Sequence, residues 1–101
     1  MDESAFHKLA DQLLARLNAT LEDGLEDADV DLRGGILTVE FDDGRQYVIN
    51  KHAPTRQVWL SSPVSGATHF EHDPARGIWR STRGEAVLTD LLAAELGVGL
   101  D

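Results

Sequence analysis

The chain has 101 residues, 42% of them hydrophobic and none of them cysteine. This composition is typical of a globular domain, and it excludes a disulfide scaffold, a thiolate zinc site and a cysteine nucleophile. We expect one domain over residues 1–101. No apolar stretch approaches the ~20 residues of a membrane span, and acids near the N-terminus (MDESAF) argue against a secretory signal or presequence. We therefore expect a cytoplasmic protein with no membrane partner.

The acidic residues are unevenly distributed along the chain. Eighteen acids against nine bases give a formal net charge of −9. Residues 1–31 contain nine acids and two bases, whereas residues 32–101 contain nine acids and seven bases. A negative charge of this size argues against nucleic acid as a partner, because phosphate would be repelled. Its concentration in one segment indicates a cation or a basic protein surface instead.

The first predicted element is an amphipathic helix over residues 5–22. Its apolar residues recur in steps of three and four from Phe6 to Leu21, Ser4 is the expected N-cap, and Gly24 is expected to end the helix.

Strands with short connections follow this helix. Apolar and polar residues then alternate, and the tight-turn pairs Gly34-Gly35 and Asp43-Gly44 predict hairpins. The predicted strands cover residues 28–32, 37–41, 47–51, 57–61, 68–71 and 78–80, with His52 in an exposed loop and residues 62–66 in another.

A second helix closes the chain. Thr82 and Glu85 have capping-box spacing, the leucines from Leu88 to Leu96 form an apolar stripe, and Gly97 is placed to end the helix. Two amphipathic helices and an antiparallel meander of about six strands predict an α+β fold. In this two-layer α-β sandwich the helices cover one face of the sheet, and the other face is left to solvent or to a partner.

Six carboxylates without an intervening base form what we call the acidic ridge. It consists of Glu22, Asp23, Glu26, Asp27, Asp29 and Asp31. Carboxylate oxygens suit weakly held divalent cations, and the spacing is not that of an EF-hand loop. The ridge is either a solvated face or a surface site for weak, exchangeable cations. Because like charges this close repel one another and oppose folding, their presence needs an explanation. His7 and Asp11 lie on the helix that leads into it.

Trp59 is the second candidate functional residue. If Val58 and Leu60 face the helices, strand alternation turns Trp59 towards the uncovered face beside Gln57, with Asn50 on the neighbouring strand. An exposed Trp among amides is typical of an interface anchor. The alternative is that a bulge or a different register turns Trp59 into the core.

The remaining polar residues predict no catalytic site. His69 and His72 are an odd number of residues apart on a strand, so they should lie on opposite faces and not form a zinc pair. The serines lie in loops without an evident base or orienting acid, which gives no support to nucleophilic catalysis.

Four segments of the chain resemble the frataxin family, whose bacterial members are called CyaY. They are FHKLADQLL at residues 6–14, GGILTVEF at 34–41, YVINKHAPTRQVWLSSPVSG at 47–66 and LLAAEL at 91–96. The resemblance implies the same α-β sandwich. It also implies a role in iron–sulfur cluster assembly, in which a frataxin binds ferrous or ferric iron weakly and docks on a cysteine desulfurase and its iron–sulfur scaffold protein.

The resemblance also implies particular site residues. The implied iron ligands are the acidic ridge together with Asp11 and, as a nitrogen ligand, His7. The implied partner-binding residues are Asn50, Gln57 and Trp59; His52 stands where the family more commonly has Gln. A monomer is expected, with iron-induced oligomers left open. Two alternatives also stay open: a ferroxidase with iron storage, and an acidic protein-interaction module that needs no metal.

Overall fold

A computed structural model describes residues 1–100, and within them it contains two α-helices and six β-strands. The helices are α1 (Glu3–Gly24) and α2 (Leu88–Leu96). The strands are β1 (Ala28–Arg33), β2 (Ile36–Phe41), β3 (Gln46–His52), β4 (Gln57–Ser62), β5 (Gly66–Asp73) and β6 (Ile78–Ser81), with a 3₁₀ turn at Ala53–Thr55. All strands are antiparallel in the order β1-β2-β3-β4-β5-β6, so the predicted meander is confirmed.

One hydrophobic core lies between the helices and the sheet. The buried face of α1 extends from Phe6 to Leu21, as its 3.6-residue periodicity predicts. It packs with alternate residues of the central strands, such as Ile49 and Leu60, and Phe6 meets the ring of Trp79 edge-on. Each fully buried large apolar side chain stabilises the fold by about 1.5–3 kcal/mol. The helices therefore cover only the face of the sheet that carries these residues.

The starts of both helices differ from the sequence predictions. The N-cap of α1 is Asp2 rather than Ser4, because the Asp2 carboxylate accepts a hydrogen bond of 2.7 Å from the Ala5 amide. The expected capping box at Thr82 and Glu85 does not form. Val87 pairs with Arg80 as an isolated β-bridge, which returns the chain along the sheet, and α2 begins only at Leu88. Gly97 does end α2, in the left-handed conformation.

The strands are longer than the apolar alternation predicts. His52, expected in an exposed loop, is the half-buried last residue of β3, because its backbone continues the pairing with Gln57 of β4. The loop expected over residues 62–66 shrinks to Pro63–Ser65, since Ser62 pairs with Gly66. Along residues 1–100, neither helix has both the length and the apolarity to cross a membrane.

Candidate functional site

The acidic ridge follows the end of α1, the connection to β1 and the outer face of β1. Glu22 and Asp23 lie in the last turn of α1, which contains no basic residue. Glu26 and Asp27 lie in the connection, and all six ridge side chains are exposed. The C-terminal end of a helix carries a partial negative charge, so these carboxylates add to a field of the same sign. This corner of the molecule attracts cations.

The β1 section of the acidic ridge is extended by a neighbouring strand. Asp29 lies directly opposite Glu40 of β2, so a carboxylate that the sequence analysis did not include joins this end of the ridge. Asp31 is in an ion pair with the exposed Arg33, with 3.2 Å between Oδ2 and Nε. The hairpin register, which follows from Gly34-Gly35, is the signal that could have identified Glu40.

His7 and Asp11 lie away from the six ridge carboxylates. Asp11 and Glu22 are eleven positions apart on α1, a distance of about 16.5 Å along the axis at 1.5 Å per residue. The Asp11 carboxylate contacts the Lys51 ammonium at 2.7 Å, and His7 lies 4.0 Å from Glu3. Lys51 reaches Asp11 by passing over Gly35, where a Cβ would lie 2.6 Å from the Lys51 Cε. The structure thus divides the implied ligand set into two regions of the surface.

The donor chemistry of the acidic ridge fits a weakly held hard cation. Its donors are exposed carboxylate oxygens, the ligand type of hard divalent ions, and carboxylates also bind ferrous iron. Within residues 1–100, no three His, Asp or Glu side chains are grouped closely enough to form a metal site. Any cation would therefore be held by one or two carboxylates and by water, and would exchange freely.

The second candidate surface is centred on Trp59, on the face of the sheet opposite the helices. The Trp59 indole is stacked between two imidazoles: the ring centroids are 3.8 Å from His52 and 4.2 Å from His69, with interplanar angles of 13° and 8°. The indole Nε1–H donates a 2.9 Å hydrogen bond to Gln57 Oε1. Val58 and Leu60 are buried, so the predicted outward direction of Trp59 is confirmed and the bulge alternative is wrong.

A cross-strand row extends this surface across the sheet. The register places Ile36, Asn50, Trp59 and His69 side by side on β2, β3, β4 and β5. Ile36 is 47% exposed, which is unusual for a large apolar side chain and adds apolar area beside Asn50. We call Ile36, Asn50, His52, Gln57, Trp59 and His69 the outer-face patch. Three of these residues, Ile36, His52 and His69, were not among the predicted partner-binding residues.

The two histidines of β5 face in opposite directions, as predicted. His69 stacks on Trp59 at the outer face, whereas His72 lies against Trp79 in the core layer at 5.2 Å between centroids. The odd spacing therefore gives no shared site. The same alternation was the available signal for placing His69 next to Trp59, once the β4–β5 register was known.

A polar cluster joins α2 to the sheet. Tyr47 Oη and Ser62 Oγ both donate hydrogen bonds to Glu95 Oε1, at 2.9 Å and 2.6 Å. Burial raises the pKa of Glu95, but hydrogen bonds from Ser62, Ser65 and Tyr47 outweigh burial and bring the pKa below its ordinary value. Burial, reinforced by the Glu95 carboxylate, raises the pKa of Tyr47. The cluster is polar and internal, so it serves stability.

Known proteins with similar sequences share one family. Residues 1–101 match the family model of a frataxin-like domain. A mitochondrial frataxin homolog of Schizosaccharomyces pombe is 42% identical over 95 residues, which cover 89% of this chain but only 60% of that longer protein. The iron-sulfur cluster assembly protein CyaY of Pseudomonas aeruginosa is 38% identical over 92 residues, or 91% of this chain and 84% of the relative.

Solved structures with the same fold include two frataxins. Frataxin from Psychromonas ingrahamii has a TM-score of 0.86 and 30% identity, and the match covers 100% of this chain and 97% of the other. A trimeric frataxin from Saccharomyces cerevisiae, complexed with ferrous iron, has a TM-score of 0.71 and 36% identity over 96% of this chain and 84% of the other. The similarity therefore extends over both helices and the whole sheet.

Proposed function

This chain belongs to the frataxin family, and from that premise we propose that it binds iron on the acidic ridge and docks on the iron–sulfur cluster assembly machinery. Ferrous or ferric iron is its cargo. The cysteine desulfurase and the iron–sulfur scaffold protein are its partners. The proposed role is regulation of cluster assembly rather than catalysis.

The observation that carries the iron half of this proposal is the position of the acidic ridge. Two of its carboxylates lie at the negative end of α1, and two more lie in the exposed connection that follows. The proposed ligands are the ridge residues, with Glu40 beside them. Asp11 and His7 form a separate, weaker part of the proposed ligand set, since Asp11 is paired with Lys51. The ferrous complex of the similar yeast frataxin supports iron as the cation.

The docking half of the proposal depends on the outer-face patch. Trp59 is the only large aromatic side chain on that face of the described residues, and Gln57 holds its indole through Nε1. Trp is enriched among the residues that dominate binding energy at protein interfaces. We propose that Trp59, with Asn50 and Gln57, contacts the scaffold protein, while the acidic ridge attracts basic surfaces of the desulfurase.

The experiment that tests the iron half is an anaerobic titration with ferrous iron followed by amide NMR. We expect broadening confined to residues 22–31 and Glu40, with a smaller effect at His7 and Asp11. A ridge triple variant (Glu22→Gln, Asp23→Asn, Glu26→Gln) should lose most of this broadening. A control triple variant removes three exposed acids away from the ridge (Glu71→Gln, Glu85→Gln, Asp90→Asn), changes the net charge equally and should retain the broadening.

Unchanged spectra at millimolar iron would contradict iron binding. Equal losses in the two triple variants would show that total charge, rather than the acidic ridge, attracts the ion. Oxygen consumption measured per added ferrous ion separates binding from ferroxidase chemistry, and we expect none above the protein-free rate.

A second candidate function is favoured by the ion pairs that the acids already make. Asp11 and Asp31 bind the cationic ends of Lys51 and Arg33, which are the groups that a basic protein surface would present. In this reading, the chain is an acidic interaction module for which iron is incidental. The ridge triple variant would then lose desulfurase binding equally in metal-free buffer and with iron present, whereas the first candidate expects iron to change the affinity.

A further inference from the structure

The stack of His52, Trp59 and His69 places two titratable rings against the centre of the outer-face patch. Both imidazoles lie nearly parallel to the indole, one on each of its faces. Histidine is the side chain whose charge ordinarily changes between pH 5 and 8. A protonated imidazole over an indole face forms a cation–π pair. Each added proton would therefore place a positive charge next to one face of the Trp59 indole.

Resting on the docking role proposed above, we propose that the outer-face patch accepts its protein partner only while His52 and His69 are neutral. The partner must cover Trp59 and therefore also the rings stacked on it. Removing two imidazolium groups from water costs much more free energy than removing two neutral imidazoles. Protonation also reduces the net negative charge that attracts a basic partner. Both effects weaken docking on acidification.

Charged side chains of both signs lie near the two rings, but among the described residues neither ring is in an ion pair with an acid. His52 Nδ1 lies 2.8 Å from the Thr55 hydroxyl, and the neighbouring charged residue in that turn is Arg56. Glu71, two residues along β5, is the acid on the same face as His69; it lies opposite Arg80 of β6 in the register, while the Arg80 guanidinium pairs with Asp73 at 3.4 Å. Arg83 lines the same open cavity of about 390 Å³ as His69. Neither histidine is in a salt bridge within residues 1–100.

The test measures the affinity for the purified iron–sulfur scaffold protein at pH 7.5 and pH 5.5 in metal-free buffer. We expect Kd to be about tenfold or more higher at pH 5.5 than at pH 7.5. The His52→Gln/His69→Gln variant keeps planar side chains on Trp59, and its glutamines cannot be protonated. Its ratio of Kd at pH 5.5 to Kd at pH 7.5 should be below about threefold. His72→Gln, on the opposite face, should retain the wild-type ratio.

A partner-free measurement keeps the test independent of docking. The Trp59 Nε1–H resonance should shift between pH 8 and pH 5 in the wild type and stay constant in the double Gln variant. Circular dichroism at pH 8 and at pH 5 checks that each variant is folded.

The possible results separate the two proposals. If the scaffold binds but the wild type and the double Gln variant respond to pH alike, the histidine inference is overturned and the docking role stands. A constant indole resonance in the wild type overturns it as well. If the scaffold binds neither protein at pH 7.5, the docking role fails and the inference falls with it.

Discussion

Trp59 faces away from the helices because of strand parity rather than because of its own chemistry. A Trp side chain is usually largely buried, and here the adjacent Val58 and Leu60 take the two core positions of β4. Its exposed faces are then covered by two imidazoles from the flanking strands, which keep it half-buried. The indole is thereby held in a defined orientation, which would lower the entropic cost of the proposed docking.

Replacing Trp59 by Ala should separate binding from folding. We expect the affinity for the scaffold protein to fall by about thirtyfold, the effect of a 2 kcal/mol hot spot. The unfolding free energy should change by less than about 1 kcal/mol, because the side chain lies outside the hydrophobic core. Isothermal titration calorimetry and urea unfolding measure the two quantities.

Val64→Ala is the matched control for that substitution. Val64 is 67% exposed in the turn between β4 and β5, outside the outer-face patch. Its truncation should therefore change neither the affinity for the scaffold protein nor the unfolding free energy. Unfolding of the Trp59→Ala protein at 25 °C would assign Trp59 a core role instead.

The helix α2 is short, and its attachment relies on polar as well as apolar contacts. It has nine residues and an N-cap without a side-chain hydrogen bond, so its intrinsic stability is low. Leu88 and Leu92 bury its apolar stripe. Near its C-terminus Glu95 receives hydrogen bonds from Tyr47 of β3 and Ser62 of β4, which fix the position of the helix over the sheet.

Glu95→Gln should destabilise the protein in a pH-dependent way. At pH 7 we expect a loss of about 1–3 kcal/mol in unfolding free energy, because hydrogen bonds to a charged acceptor are replaced by weaker ones. The pKa of Glu95 is lowered on folding, so its contribution is present above the ordinary value of 4.5 and is lost as the pH falls through the lower, folded value.

Urea unfolding at pH 7 and pH 3 measures this difference. The gap between the wild type and Glu95→Gln should shrink at pH 3, whereas Glu85→Gln, an exposed acid without such contacts, should show little gap at either pH. A gap that stays constant from pH 7 to pH 3 would contradict the charged hydrogen-bond network.

Acidic and basic side chains are concentrated at opposite ends of the sheet. The acidic ridge lies at the α1–β1 end, whereas Arg76, Arg80 and Arg83 lie at or beyond the β5–β6 end of the same sheet. Close like charges oppose folding, by a few tenths of a kcal/mol for each neighbouring pair. We therefore expect the ridge to lower stability.

Neutralising part of the acidic ridge should therefore stabilise the protein. At low salt, the ridge triple variant should melt a few degrees higher than the wild type, corresponding to roughly 1 kcal/mol for a domain of this size. The control triple variant should not, because it removes Asp90, which favourably occupies the first turn of α2. Differential scanning calorimetry at low salt and in 0.5 M NaCl measures the melting temperatures of the two variants. The increase in the ridge triple variant over the wild type should shrink as salt screens the charges.

A melting temperature for the ridge triple variant equal to or below that of the wild type would show that the carboxylates do not repel one another appreciably. An increase that persists in high salt would have a cause other than Coulomb repulsion.

The sequence by itself was enough to predict the two-layer sandwich, the six strands, the outward direction of Trp59 and the location of the acidic ridge. Each of these depends on periodicity or on composition within a short segment, and local sequence contains both. It was not enough for the start of α2, since residues 82–86 form a turn that brings Val87 back to pair with Arg80, and that pairing depends on β6.

Only the tertiary structure decided which residues of different strands share a site. The placement of His52 and His69 on Trp59, of Glu40 beside Asp29 and of Lys51 against Asp11 depends on strand register and on how α1 crosses the sheet. Register is a relation between distant segments, and a shift of one residue would turn every side chain to the other face. The composition of the outer-face patch is therefore a property of the assembled sheet.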